Sequence, residues 1–225
     1  MGIFDGSSKK IKPQIRQGLI NKCCELLLEG YEAMVKAKEY ELSWDEEKLT
    51  ANLISHMQKS EIITRFQIDI TAESRDYDEK ITKGTKSAKK AGKLDIRISI
   101  WGGGWFSSKK KMIYVIEAKN LSQSDWKKKT GAHVNARYQK KRYINKGIDH
   151  FISGHYKNGC LSGYVVQGKS KQIVKDINTT LKNSNPSRAD EVLLPSDNID
   201  QCYISTHDRQ DKMELELKHF MLKLN

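Results

Sequence analysis

Apolar residues recur along the chain with two different periods, and the switches between them mark out its elements. Residues 11–39 carry Ile15, Leu19, Cys23, Leu26, Leu27 and Met34 at near-helical spacing. That pattern predicts one long helix, or two short ones, whose apolar face has to be buried. Ser43-Trp44-Asp45-Glu46 has the form of a capping box, a hydroxyl followed three residues later by an acid, and predicts a helix running to about Met57. Residues 61–72, with Ile63, Phe66, Ile68 and Ile70, read as a first strand. Residues 73–93 are polar and lysine-rich and predict a loop, and two strands joined by a turn follow over 92–120. A helix is predicted over 134–156 with Ile144, Ile148, Phe151, Ile152 and His155 on its buried side, then a strand over 161–168. A helix over 171–181 turns Ile173, Val174, Ile177 and Leu181 inward. After a loop over 183–200, residues 201–206 and 213–224 read as closing strands. The expectation is an α/β fold: a central mixed sheet flanked by helices, with an N-terminal helical extension over 1–42 and the main domain over 43–225.

The strand pair can be given a register on paper. In the first strand Ile96, Ile98 and Ile100 alternate with Asp95, Arg97 and Ser99, so the two sets face opposite sides of a sheet. The second strand, 112–119, is apolar at nearly every position until Glu117, as a central strand covered on both sides would be. An antiparallel hairpin centred near Phe106 pairs Ile96 with Ile116, Ile98 with Tyr114 and Ile100 with Met112. Asp95 then falls opposite Glu117, and Lys119 shares the face of Glu117. Two carboxylates that close repel unless a cation lies between them. An Asp, a Glu and a Lys at one point suit a hard divalent ion and the phosphate oxygens it binds. The plain alternative is a surface ion pair on the frayed end of a hairpin, which contributes little.

Asp95, Glu117-Ala118-Lys119 and an acid on a preceding helix resemble the core of the PD-(D/E)XK phosphodiesterases, the restriction-endonuclease-like nucleases. The similarity covers roughly residues 43–168 and departs from the family pattern at Leu94, where proline is named. The resemblance implies a restriction-endonuclease-like core and Mg²⁺ (or Mn²⁺) held by Asp95, Glu117 and Glu46. It also implies Lys119 as the catalytic amine and hydrolysis of phosphodiester bonds in DNA, in restriction, phage defence or repair. Glu46 shares a face with Leu49, Leu53 and Met57, and Glu47 lies about 100° round the helix. Glu46 is therefore preferred as the additional acid, with Glu47 the alternative and a capping role for Glu46 also open.

Composition changes the picture in one respect. Forty Lys and Arg against twenty-eight Asp and Glu leave a net charge of +12 over 225 residues, which implies a polyanionic partner. DNA is the first expectation and RNA the alternative, with Lys86, Lys89, Lys90, Lys140, Lys141 and Arg142 as candidate phosphate contacts and Tyr138 and Gln139 as candidates for the site rim. Trp101, Trp105 and Phe106 in the hairpin turn could stack on bases or pack on a neighbour. Cys23, Cys24, Cys160 and Cys202 form no metal or disulfide pattern, and His150 and His155 are the one histidine pair near ligand spacing. His207 and His219 read as structural. No stretch reaches the length of a membrane span and the first residues lack a signal peptide's apolar run, so a soluble, cytoplasmic protein is expected, without a membrane partner. The resemblance also leaves room for a homodimer or a partner subunit of a defence system. The competing functions are a catalytically inactive nucleic-acid-binding module and a subunit of a larger complex.

Overall fold

The computed structural model describes residues 8–72, 75–76, 92–93, 95–101, 111–128, 130–211 and 213–224. Three helices come first: α1 (Ser8–Ala37), α2 (Glu46–Met57) and α3 (Glu61–Phe66). Strand β1 (Ile68–Ala72) precedes the two-residue strands β2 (Arg75–Asp76) and β3 (Gly92–Lys93), then the hairpin strands β4 (Ile96–Trp101) and β5 (Lys111–Ser122). After a small β6 (Trp126–Lys127) and β7 (His133–Val134), helix α4 (Ala136–Arg142) runs on through a π-helical stretch (Tyr143–Ile148) into α5 (Asp149–Ile152). Strand β8 (Gly159–Gln167), helix α6 (Ser170–Lys182), a 3₁₀ turn (Ala189–Glu191) and strands β9 (Leu194–Pro195), β10 (Cys202–Asp208) and β11 (Glu214–Lys223) complete the chain.

Seven strands make one mixed sheet in the order β1-β4-β5-β8-β11-β10-β9. β5 and β8, and β8 and β11, run parallel, while the outer pairs are antiparallel. The hairpin has the register read from the sequence, Ile96↔Ile116, Ile98↔Tyr114 and Ile100↔Met112. Because β5 is central, its alternate residues feed two cores. Tyr114, Ile116 and Ala118 join the core made with α1 and α2, which buries Cys23, Leu26, Leu27 and Met34 from α1 and Leu49, Leu53 and Met57 from α2. Val115 and Leu121 join the core on the other face, with Tyr143, Ile148, Phe151 and the inward side of α6. All four cysteines are buried and free. Among the described residues, no helix is long and apolar enough to cross a membrane.

Three elements differ from the sequence reading. Residues 61–66 are helix α3, not strand: Ser60 caps it by accepting from the Ile62 N–H (3.1 Å), and Gln67 ends it at φ 50°. The local capping signal prevails there over an imperfect alternation. In the capping stretch Asp45, not Ser43, is the N-cap of α2, accepting from the Lys48 N–H at 3.0 Å. The helix expected over 134–156 starts at Ala136, capped by Asn135, and ends at Ile152. Its π stretch holds Gly147, where a Cβ would come within 2.5 Å of Leu161 Cδ2, so the helix lies unusually close to β8.

Candidate active site

β4 begins at Ile96 whereas β5 runs on to Ser122, so the last half of β5 has no strand beside it on that side. Its ladder N–H groups there need other acceptors, and two side-chain carboxylates supply them. Asp95 Oδ2 accepts from the Ala118 N–H (2.8 Å), and Glu46 Oε2 accepts from the Asn120 N–H (3.3 Å). The start of α2 is held to the same place by Asn120, whose side-chain amide donates to the Trp44 carbonyl at 3.0 Å. An acid from the hairpin mouth and an acid from α2 thus take the places of a missing strand, and this fixes both carboxylates beside Glu117 and Lys119.

Glu117 and Lys119, two apart on β5, project to one face. The Lys119 ammonium lies 2.7 Å from Glu117 Oε1, 3.1 Å from Asp95 Oδ2 and 3.2 Å from Glu46 Oε1, and also donates to the Ala118 carbonyl. The side chains of Lys119 and Glu117 are 3% and 5% exposed, those of Asp95 and Glu46 21% and 22%. Three ionised carboxylates around one ammonium leave two negative charges without a partner in a largely desolvated place. The titration behaviour reflects that excess. Burial, with Asp95 adding to it, pushes the Glu117 carboxyl up to about 7 against the opposing pull of Lys119 and the nearby Tyr156 hydroxyl. Burial also raises Glu46, again in spite of Lys119. Burial works to lower the Lys119 ammonium, but Glu117, Glu46 and Asp95 outweigh it and raise it above its ordinary value.

Glu46 and Asn120 also line a cleft of ≈ 300 Å³, with Glu47, Trp126, Gln139 and Arg142, together with Asp45 and Lys128. Glu46, rather than Glu47, reaches the amine; Glu47 is exposed on the cleft wall. Arg142 lies close enough to favour ionised Glu46, and Gln139 lines the same cleft. Tyr138 is 61% exposed and is not among the lining residues. Lys140 needs correcting as a surface phosphate contact. It is 5% exposed, with its ammonium bonded to Asp176 (2.6 Å) and the Gln123 carbonyl (3.2 Å), because it falls on the inward side of α4 with Ala136. Lys141 is exposed and lines a separate groove beside Arg137. Lys86, Lys89, Lys90, Trp105 and Phe106 lie outside the described residues.

Asn120, Trp126 and Lys128 were not picked out from the sequence. Asn120 alone had a visible signal, as an amide closing an apolar strand directly after the Glu-x-Lys triplet. It is 4% exposed, and its Oδ1 has no hydrogen-bond partner among the described residues. The Glu117 carboxyl, by contrast, has the Tyr156 hydroxyl beside it as well as Lys119. Oxygen donors, excess negative charge and an orphaned acceptor oxygen are what a hard divalent cation requires. Yet among the described residues no group of three or more His, Cys, Asp and Glu is placed to hold a metal ion. In this arrangement Lys119 fills the space between the acids. Comparison with known proteins found no matching family model, no matching curated protein and no matching solved structure.

Proposed function

We propose that this protein is a metal-dependent nuclease that hydrolyses phosphodiester bonds in DNA, with its β4–β5 hairpin, α2 and α4 forming a PD-(D/E)XK-type, restriction-endonuclease-like core. The observation that carries this reading is the meeting of Asp95, Glu117 and Glu46 around Lys119, beside a cleft that Glu46 helps to line. A surface ion pair, the plain alternative, accounts neither for the burial of Glu117 and Lys119 nor for three acids sharing one amine.

In this mechanism Asp95, Glu117 and Glu46 would hold Mg²⁺ or Mn²⁺ through their oxygens. When bound, such an ion supplies Lewis-acid polarisation of the scissile phosphate and makes water a better nucleophile. Lys119 donates hydrogen bonds from its ammonium to the attacking water or to a non-bridging phosphate oxygen, and so stabilises the negative charge that develops as the P–O bond breaks. Arg142 and Lys128 on the cleft wall offer cations to the flanking phosphates.

The test is cleavage of plasmid DNA with Mg²⁺ or Mn²⁺, with EDTA as control. Cleavage is expected to stop with EDTA and to fall by about a thousandfold in Lys119→Ala or Glu117→Gln, the scale of losing one transition-state contact or one ligand of the ion. Glu47→Gln is expected to leave it within a few-fold. Undiminished cutting by folded Glu117→Gln, or no cutting by the unaltered protein under any metal, sinks the nuclease. Salt-dependent binding without cutting is the signature of the inactive binding module.

A further inference from the structure

The Lys119 ammonium is over-committed where it stands. It has three N–H groups but four acceptors within reach: one oxygen each of Glu117, Asp95 and Glu46, and the Ala118 carbonyl. Among the described residues one further acceptor at the adjoining cleft has no hydrogen-bond partner, Asn120 Oδ1, on a residue that is 4% exposed. Asn120 is not one of the acids, and it lines the open cleft beside Glu46. More oxygens therefore converge here than one amine can satisfy, and its single charge offsets only a third of theirs. The carboxylates stand 2.7–3.2 Å from Nζ, a spacing suited to an ammonium. Six oxygens at about 2.1 Å would suit Mg²⁺ instead. Both cations cannot occupy that one point.

We propose that Lys119 is a built-in plug: its ammonium holds the cation seat among Asp95, Glu117 and Glu46 in the substrate-free protein, and yields it to a divalent ion when a phosphodiester offers the amine another anion. This rests on the nuclease reading, and it adds how that site is regulated. The phosphate arrives through the cleft, where Arg142 and Lys128 already stand. Once the ammonium turns to a phosphate oxygen, the three carboxylates and Asn120 Oδ1 are free to close on the metal. Metal and phosphodiester then strengthen each other's binding, and by linkage the coupling is the same in both directions. A chain loaded with metal only in the presence of substrate is kept from idle hydrolysis.

The experiment is calorimetric titration of the full chain with Mn²⁺, with and without dimethyl phosphate as an uncuttable phosphodiester probe, for the unaltered protein, Lys119→Met and Lys119→Gln. Either variant keeps most of the side-chain length and removes the charge, and circular dichroism checks its fold. The unaltered protein is expected to bind Mn²⁺ weakly alone and about tenfold more tightly with the diester. The variants are expected to bind at least tenfold more tightly than the unaltered protein and to ignore the diester. A simple field effect of the lysine predicts the same diester response in all three, and that result overturns the plug. So does Mn²⁺ affinity that is no higher in the variants, which leaves the metal site itself standing. If Mn²⁺ binding is absent throughout, or survives Asp95→Asn in the Lys119→Met background, the plug and the metal reading fall together.

Discussion

Lys140 and Lys141 are neighbours in a basic run, and the structure gives them opposite circumstances. The Lys140 side chain is 7% exposed and reaches Asp176, while Lys141 faces solvent. Lys140→Ala is therefore expected to cost roughly 1–2 kcal/mol in denaturant melts, since Asp176 is itself partly solvated and keeps some hydration. Polynucleotide affinity should hardly change. Lys141→Ala should do the reverse, leaving stability alone and weakening salt-dependent binding. Nothing in the letters separates the two lysines, because the inward direction is set by where α4 lies on the sheet. Glu46 is a contrasting case. Its place in the site was visible from the shared face with Leu49 and Leu53, but its freedom from capping was decided by Asp45 taking that role. At Gly159 the constraint is also tertiary: a Cβ there would sit 2.0 Å from the Val115 carbonyl and 2.8 Å from the Phe151 ring. Backbone cannot yield as a flexible side chain can, so Gly159→Ala is expected to destabilise by about 3 kcal/mol or more in a urea titration.

Among the elements, α1 carries a testable consequence. Its Leu26, Leu27 and Met34 are fully buried in the same core as Ile96, Ile98 and Ile116. Leu27→Ala should therefore cost about 2–5 kcal/mol, as for other large-to-small core changes. Removal of residues 1–42 should leave a chain that aggregates or lacks a cooperative melt, because one face of the sheet would lose the cover of α1 and keep only α2 and α3. A truncated chain that melts cooperatively would show the extension to be dispensable. The hairpin was legible to the register because Ile alternates cleanly along β4 and the partner strand ends in charge. Residues 61–66 were not, since short apolar stretches suit helix and strand alike and Ser60 tips the balance locally. The split of the long helix was hidden too: its π stretch belongs to the contact of Gly147 with Leu161, on an element read only later in the chain.

At the scale of the molecule, a hydrogen-bonded chain ties four elements together away from the cleft. Tyr143 meets His219 Nδ1 (2.9 Å), His219 Nε2 meets Ser205 Oγ (2.7 Å), Ser205 Oγ meets His207 Nε2 (2.6 Å), and His207 Nδ1 meets Glu191. Arg188 links Glu191 to Asp149 at 2.7 and 2.8 Å. Burial works against the Glu191 carboxylate, but Arg188 and His207 hold it below its usual range, so it is an acceptor only. That fixes every proton for neutral rings: His207 Nδ1–H donates to Glu191, Ser205 to His207, His219 Nε2–H to Ser205 and Tyr143 to His219. Burial lowers both histidines, His207 in spite of Glu191, and His219 to about 3 with His207 adding to the effect. Over the interval between those folded values and the unfolded value of about 6.5, the unfolded chain binds more protons, so stability rises with pH there. It is complete above about pH 6.5 and is lost as pH falls toward the folded values, by on the order of 4 kcal/mol for His219 alone. Urea midpoints at pH 7.5 and 4.5 should differ accordingly. The difference should shrink in His219→Gln, which retains one donor and one acceptor without the charge.

Alternation and capping are written in neighbouring residues, so the sequence by itself determined most of the elements, the hairpin register and the nearness of Asp95 to Glu117. The tertiary structure alone decided that β5 outruns β4, so that carboxylates from two elements fill the vacant ladder positions, and that an amine lies among three acids. It also decided which lysine of a basic run is buried. Those outcomes depend on where separate elements end against one another, and no local pattern of residues encodes that distance.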